Sequence, residues 1–179
     1  MGRPTGPHII AAFLLLIACG APGCSGPDET RRSGEETGTT EGRVIRVVDG
    51  DTAIIRVAGT DHRVRFIGVD APESTREVEP FGEEASAYAK RELSGRRVWL
   101  ETDVELRDRY DRLLAYVWLA PPEDRSDSEI RETQFNARLL LDGYASVSTF
   151  PPNVRYVDGY TRYAREAREA GRGLWSRSH

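Results

Sequence analysis

The stretch that decides the fold is RVIRVVDGDTAIIRVAGTDHRVRFIGVDAPE, residues 43–73. Arg43–Val48 and Thr52–Val57 are rich in valine and isoleucine, and the Asp-Gly pair between them is a strong hairpin signal. A second glycine-containing turn leads into a third run of this kind, His62–Val69. The pattern predicts three short strands joined by tight turns.

The rest of the pattern predicts strands at Arg97–Glu101 and Leu113–Leu119 and helices at Phe81–Leu93 and Gly159–Ala170. One further helix is predicted between the strand that ends at Leu119 and the helix that begins at Gly159. That further helix begins either at Ser126, if the Ser-x-x-Glu motif is a capping box, or near Thr133. An α+β fold with a five-stranded OB-type barrel and three helices fits this order. Hydrophobic periodicity alone also allows another α+β barrel.

Composition narrows the function classes. The 179 residues are 39% hydrophobic and 30% charged, which excludes a wholly disordered chain and a polytopic membrane protein. Two cysteines and three scattered histidines are too few for a disulfide scaffold or the usual zinc site. The net charge of −4 provides no global basic field. A monomer is the default expectation.

The N-terminal region predicts export. The apolar run Ile9–Ala18 follows a weakly basic start and is too short to cross a bilayer, which is typical of a signal peptide over residues 1–18. The run ends in the letters LIAC, which resemble the lipobox of bacterial lipoproteins, so Cys19 is predicted to be lipidated. An ordinary signal peptide and a secreted soluble protein are the alternative.

The segment that follows predicts a flexible tether. Residues 25–42 contain no aromatic or aliphatic side chain and therefore cannot bury enough surface to offset their ordering entropy. We expect residues 19–42 to hold a domain at residues 43–177 off a membrane.

Acidic clusters stand where predicted strands end. Each cluster, at Asp49–Thr52, Asp70–Glu73 and Asp108–Arg112, has a structural explanation of its own as a turn or a solvated loop. Together the three clusters supply charged groups that complement one another in a single site. Two carboxylates that lie close together repel unless they share a proton or a cation, and oxygen ligands without histidine or cysteine indicate Ca²⁺ before Mg²⁺ or Mn²⁺.

Two arginines complete this set. The planar guanidinium groups of Arg65 and Arg112 suit phosphate oxygens, and Glu73 could act as base on a water molecule. A cation, two guanidinium groups and a base are what hydrolysis of a phosphodiester requires.

Five motifs, VVDGDT (47–52), VRFIGVDAPE (64–73), FGEEASAY (81–88), DRYDRLLAYVW (108–118) and EAGRGLW (169–175), resemble the staphylococcal nuclease family in the same order. The resemblance implies a five-stranded OB barrel with three helices. It also implies a Ca²⁺-dependent endonuclease that acts on DNA and RNA, prefers single-stranded or frayed regions, and leaves 3′-phosphate products.

The resemblance implies a role for each matching position: Ca²⁺ ligands Asp51, Asp70 and the Ala71 carbonyl, phosphate-binding Arg65 and Arg112, the general base Glu73, and substrate contacts Arg109, Tyr110 and Phe150. Ser148 and Phe150 stand where the family has two tyrosines, and Asp111 stands where a glycine is usual. The loop 121–131 is longer than the family suggests and has no assigned role.

The rival prediction is a non-catalytic OB module on a surface lipoprotein, which would bind nucleic acid or a protein partner. Such a module has no need of the five charged positions that hydrolysis requires, and all five are present.

Overall fold

A computed structural model of the chain describes Gly2 and residues 38–74 and 79–176. The strands are β1 (Thr39–Asp49), β2 (Thr52–Val57), β3 (Thr60–Phe66), β4 (Val69–Asp70), β5 (Arg97–Glu101), β6 (Leu113–Trp118) and β7 (Ser146–Val147). The helices are α1 (Gly82–Leu93), α2 (Asp127–Thr133), α3 (Phe135–Leu141) and α4 (Val157–Glu169), with a 3₁₀ turn at Gly173–Trp175. The predicted signal peptide, Cys19 and residues 19–37 of the predicted tether lie outside the described residues.

Five strands close into a barrel in the order β1-β2-β3-β6-β5, while β4 and β7 form a separate two-stranded sheet. Strands β3 and β6 pair in parallel, and the other barrel pairs are antiparallel. The predicted α+β fold with a five-stranded OB-type barrel is confirmed. The described residues contain four α-helices instead of the three predicted, because two short helices occupy the region of the predicted third helix.

Strand β1 begins at Thr39, four residues before the predicted domain boundary at Arg43. Thr39–Gly42 lacks large apolar side chains, but it pairs with β5, where Thr39 lies opposite Glu101 and Gly42 opposite Val98. These four residues are therefore strand and not tether. Pairing with β5 makes these residues a strand although their composition does not favour one, and such pairing cannot be predicted from the local sequence.

The predicted strand His62–Val69 is divided into β3 and β4 by a turn at Ile67-Gly68. Gly68 has a φ of 80°, and a Cβ at this position would meet the ring of Tyr160 at 2.7 Å. Only glycine satisfies both conditions. Tyr160 belongs to the buried face of α4, so this helix packs beneath the turn that precedes Asp70.

The core lies inside the barrel and beneath the helices. Phe66 of β3 meets Phe135 of α3 edge to face, with ring centroids 5.7 Å apart, and both side chains are buried. Such aromatic pairs add about 1 kcal/mol to the effect of area burial. In the described residues no helix is long and apolar enough to cross a membrane.

One cross-strand row determines where the functional residues meet. Asp49 of β1 pairs with Thr52 of β2, Thr52 pairs with Arg65 of β3, and Arg65 pairs with Leu114 of β6. The row therefore crosses four barrel strands at one level. The Asp49–Thr52 hairpin turn and the segment leading into β6 are brought together at this end of the barrel.

Candidate active site

Asp51 lies in the turn between β1 and β2, and its side chain is 10% exposed. Oδ1 accepts a hydrogen bond from the Thr52 hydroxyl at 2.9 Å, and Oδ2 accepts one from the backbone N–H of Ala71 at 2.9 Å. The turn packs tightly, because a Cβ at Gly50 would meet the Ala71 Cβ at 2.5 Å. Gly50 thus permits the hairpin turn and the segment after β4 to touch.

Arg65 joins the two predicted metal carboxylates. Its Nη1 lies 3.2 Å from Oδ2 of Asp51, and its Nη2 donates to Oδ1 of Asp70 at 2.8 Å. The Nη1 group also donates to the backbone carbonyls of Phe66 and Val69, at 3.0 and 2.7 Å. The guanidinium is therefore fixed by the β3–β4 turn, and both carboxylates converge on it.

Asp70 ends β4 and keeps 60% of its side chain exposed. Partial burial of the carboxyl in the site raises the pKa of Asp70 above its ordinary value; the Arg65 guanidinium opposes the rise, and the carboxylate of Asp51 adds to it. A carboxyl whose ionisation is disfavoured by burial and by a neighbouring carboxylate makes a site where a cation is stabilising.

Asp49 and Glu73 form a second carboxyl pair. Asp49 is 8% exposed, and its Oδ1 accepts hydrogen bonds from the backbone N–H of Gly50 and the hydroxyl of Ser74, both at 2.8 Å. Burial raises the pKa of Asp49; the bonds from Ser74 and Gly50 oppose the rise, and a hydrogen bond with the Glu73 carboxyl adds to it. The predicted general base therefore touches a buried acid.

Arg112 is held by one aspartate. Its backbone N–H donates to Oδ1 of Asp108 at 3.0 Å, and its Nε donates to Oδ2 at 2.7 Å. Burial alone would raise the pKa of Asp108, but the hydrogen bonds from the Arg112 backbone and guanidinium hold the pKa below its ordinary value. Asp108 is therefore an ionised clamp that orients the guanidinium.

A cleft of about 570 Å³ opens beside these groups. Its lining includes the predicted site residues Arg65, Asp70, Arg109, Tyr110, Arg112 and Phe150. Asp51 and Ala71 are buried next to Arg65 and Asp70, and Glu73 lies two residues after Ala71, but none of the three lines the cleft. The fold thus gathers the predicted residues at one end of the barrel.

Two aromatic side chains stand on the cleft wall. Tyr110 is 65% exposed and Phe150 is 74% exposed. The guanidinium groups of Arg109 and Arg112 lie 4.7 and 5.6 Å from the Tyr110 ring centre, and Arg109 donates to the tyrosine hydroxyl at 2.7 Å. Exposed rings beside cations suit bases and phosphates of an unpaired strand.

Asp111 occupies the position where the resemblance suggests a glycine, and its φ of 62° lies in the left-handed region. Its carboxylate lies 3.2 Å from Arg107 Nη1, and Arg107 also donates to its backbone carbonyl at 2.8 Å. The negative charge of Asp111 is therefore paired with the positive charge of Arg107.

The residues missed by the sequence prediction are Asp108 and the Asp49–Ser74 pair. Asp49 and Asp108 stood within the acidic clusters, but a turn role and a solvated loop explained them equally well. Among the residues that the structure describes, no three histidine, cysteine, aspartate or glutamate side chains come close enough together to hold a metal by themselves. The donor set, two carboxylates and backbone oxygens, nevertheless fits a hard divalent cation that completes its shell with water.

Comparison with known proteins identifies the family. Residues 63–177 match the family model described as "Staphylococcal nuclease homologue". The chain is similar to Thermonuclease from Staphylococcus hyicus, with 34% identity over 96% of both chains, and to Thermonuclease from Staphylococcus intermedius, with 35% identity over 97% of both chains. It is also similar to Endonuclease YncB from Bacillus subtilis, with 34% identity over 74% of this chain and 60% of the relative.

The match begins within β3 and covers β5, β6, the residues that line the cleft and the four α-helices of the described residues, whereas β1 and β2 precede it. On these grounds the chain belongs to the staphylococcal nuclease family.

Proposed function

We propose that this protein is a Ca²⁺-dependent endonuclease that hydrolyses phosphodiester bonds in DNA and RNA and leaves 3′-phosphate products. Membership of its family makes it a nuclease, a hydrolase of phosphodiester bonds. The observation that carries the proposal is the convergence on Arg65. This guanidinium lines the cleft together with Arg112 and holds both Asp51 and Asp70.

Asp51, Asp70 and the backbone carbonyl of Ala71 would hold the Ca²⁺ ion. Carboxylate and carbonyl oxygens are its preferred ligands, and water molecules fill the remaining positions. When bound, the ion neutralises charge on the phosphate and makes the phosphorus more electrophilic. The raised pKa of Asp70 supports this assignment, because crowded carboxylates gain most from a nearby cation.

Arg65 and Arg112 would bind the non-bridging phosphate oxygens. Both guanidinium groups are oriented before substrate arrives, one by the β3–β4 turn and one by Asp108. Donors fixed in advance stabilise the charge that develops on the phosphoryl oxygens without a cost of reorganisation during the reaction.

Glu73 would act as general base. Its carboxylate accepts a proton from a water molecule while the water oxygen forms a bond to phosphorus. The bond between phosphorus and the 5′-oxygen then breaks, and this oxygen leaves as a hydroxyl by taking a proton from solvent water. The phosphate stays on the 3′-oxygen, which accounts for 3′-phosphate products.

The substrate would be single-stranded or frayed. Tyr110 and Phe150 can stack only on bases that have left a duplex, and Arg109 stands beside the Tyr110 ring. Ser148 and Phe150 line the cleft without the two phenolic hydroxyls that the family resemblance suggests. At these two positions the substrate would therefore be bound by stacking of a base on the Phe150 ring. The net charge of −4 favours weak long-range capture of a polyanion.

The test is digestion of end-labelled single-stranded DNA and RNA by the full chain with Ca²⁺, with Mg²⁺ and with a chelator. We expect cleavage only with Ca²⁺, and fragments whose 3′ ends accept no further nucleotide until a phosphatase removes the phosphate. Binding of the strands without cleavage in any metal would instead support the non-catalytic OB module.

The proposed location is extracytoplasmic, with the chain anchored to a membrane through a lipid on Cys19. The LIAC sequence supports this proposal. Mass spectrometry of the mature N-terminus should find diacylated Cys19. An unmodified N-terminus at a later residue would indicate the secreted soluble alternative.

A further inference from the structure

We propose that Ser74 is a positioning residue of this site: its hydroxyl, bonded to buried Asp49, fixes the segment that aims the Glu73 carboxylate. The inference rests on the proposed function, because Glu73 is the general base only if the protein hydrolyses phosphodiesters.

The backbone of Glu73 is fixed from the side of α1. Its N–H donates to the carboxylate of Glu79 at 3.1 Å, and its carbonyl accepts from the Glu79 N–H at 2.9 Å. The carbonyl also packs against the first residue of α1, because a Cβ at Gly82 would collide with it. These contacts fix the peptide groups of Glu73.

Ser74 supplies a connection to the barrel. Its hydroxyl donates to Oδ1 of Asp49 at 2.8 Å, across 25 positions of sequence. Asp49 is an anchor that does not move easily, because it is 8% exposed, ends β1 and accepts the Gly50 N–H at the same oxygen. The segment after β4 is thereby tied to the row of residues that crosses the barrel.

Asp49 is also the carboxyl that the Glu73 side chain contacts. The base and the residue that follows it therefore meet at one buried group. Without the Ser74 hydroxyl, one of the donors to Asp49 Oδ1 is lost, and the Glu73–Ser74 peptide loses its connection to β1. A displacement of about 1 Å at a reacting group can cost up to about 100-fold in rate.

The experiment is a set of four variants of the full chain, Ser74→Ala, Ser74→Thr, Glu73→Gln and the double variant Glu73→Gln/Ser74→Ala. Steady-state cleavage of single-stranded DNA with Ca²⁺ is measured for each. We expect Ser74→Ala to lower kcat about 10- to 100-fold with KM within a factor of about two of wild type. Ser74→Thr keeps the hydroxyl and should recover most of the rate.

The double variant separates positioning from an independent effect. If Ser74 acts through Glu73, Ser74→Ala should cause no further loss once Glu73 is glutamine. Ser94→Ala, at an exposed serine after α1, is the matched control and should cleave at the wild-type rate. Thermal midpoints of all variants are recorded in parallel.

Three results would overturn the inference: a wild-type kcat for Ser74→Ala, an equal loss in both Glu73 backgrounds, or a loss that appears only in KM and in the thermal midpoint. Each of these results presupposes an active wild-type protein. A wild-type chain that cleaves nothing would instead contradict the proposed function, so the two failures are distinguishable.

Discussion

Arg65 and Arg112 line the same cleft, but different groups hold their side chains in place. Arg65 is held by two backbone carbonyls of its own turn, whereas Arg112 is held by the carboxylate of Asp108. Both guanidinium groups lose their side-chain entropy when the protein folds, so substrate does not have to order them. A preorganised planar guanidinium can bind two phosphate oxygens at once, whereas the lysine ammonium group cannot reproduce this geometry.

Replacing Arg112 by lysine should lower kcat/KM on single-stranded DNA about 100-fold, because the bidentate donor set is lost while the charge is kept. Steady-state kinetics at saturating Ca²⁺ measure the effect. Arg91→Lys, at an exposed arginine in α1, is the control and should change nothing. Equal kcat/KM for Arg112→Lys and wild type would remove Arg112 from the site.

At this scale, sequence predicted which charged groups meet but not what holds them. Asp51, Asp70 and Arg65 were predicted as one cluster, and they form one. Asp108 was not predicted as a clamp, because its bonds to Arg112 depend on the loop conformation and on side-chain rotamers. The Ser74–Asp49 bond was missed for the same reason.

Among the elements, β5 and β6 are joined to α4 by one buried carboxylate. Glu101 is 1% exposed, and each of its oxygens accepts two bonds. Oε1 accepts from Arg125 at 3.0 Å and from Arg155 at 2.6 Å. Oε2 accepts from the Trp118 indole and the Tyr156 hydroxyl, both at 2.8 Å. The predicted loop 121–131 ends in the first five residues of α2, and its part before the helix has a structural role because it supplies Arg125.

Glu101→Gln should destabilise the protein by about 3 kcal/mol, because the substitution leaves two guanidinium groups without their shared anion. Urea unfolding at neutral pH measures the change in the free energy of unfolding. Asp61→Asn removes the exposed partner of Arg56 in the β2–β3 hairpin and should leave the unfolding midpoint almost unchanged. A Glu101→Gln protein as stable as this control would contradict the account of the network.

Helices α2 and α4 are joined by polar contacts around Asp127. Its Oδ1 accepts from the hydroxyl of Tyr163 at 2.6 Å, and its Oδ2 accepts from Arg131 Nε at 2.6 Å. Arg131 also forms two bonds to Glu166, at 2.9 and 2.7 Å. The bonds from Tyr163 and Arg131 lower the pKa of Asp127 from 3.8 to about 2.

A depressed pKa stabilises the fold above the unfolded-state value and loses this effect as the pH falls through the folded-state value. Asp127→Asn should therefore lower the thermal midpoint at neutral pH, and its difference from wild type should shrink between pH 3.8 and about pH 2. Glu132→Gln, at an exposed carboxylate on α2, should show no such trend. A difference independent of pH would show that Asp127 contributes no charge-dependent stability.

Element boundaries were predictable where local pattern and tertiary contacts agree. The predicted strands Thr52–Val57 and Arg97–Glu101 match β2 and β5 residue for residue. The two candidate starts of the predicted third helix reflect two helices, α2 and α3. They are separated at Gln134, which is extended because it bridges to Trp118 of β6. A break imposed by a neighbouring strand leaves no signal in the local sequence.

For the whole molecule, barrel closure explains why distant segments make one site. The row from Asp49 to Leu114 crosses β1, β2, β3 and β6, so the β1–β2 turn and the Asp108–Arg112 segment meet at one end. The order of the predicted strands and helices indicated a closed OB-type barrel, and the family resemblance implied the same fold, whereas hydrophobic periodicity alone also allowed another α+β barrel.

Ca²⁺ should stabilise the folded protein, because its proposed ligands come from two segments that are together only in the native state. At a concentration about 100 times its Kd, the ion should raise the free energy of unfolding by about 2.7 kcal/mol. Urea unfolding with and without Ca²⁺ measures this. Asp70→Asn should lose most of the increase. An increase of the same size in this variant would place the ion elsewhere.

The proposed mechanism depends above all on the convergence of a base, two guanidinium groups and a cation-binding carboxylate pair around one diester. Its most direct test is the kcat of Glu73→Gln on single-stranded DNA at saturating Ca²⁺, with Glu84→Gln, at an exposed carboxylate in α1, as control. We expect kcat to fall about 10²- to 10⁴-fold for Glu73→Gln with unchanged thermal unfolding, and to stay at the wild-type value for the control. Wild-type turnover by Glu73→Gln would contradict it.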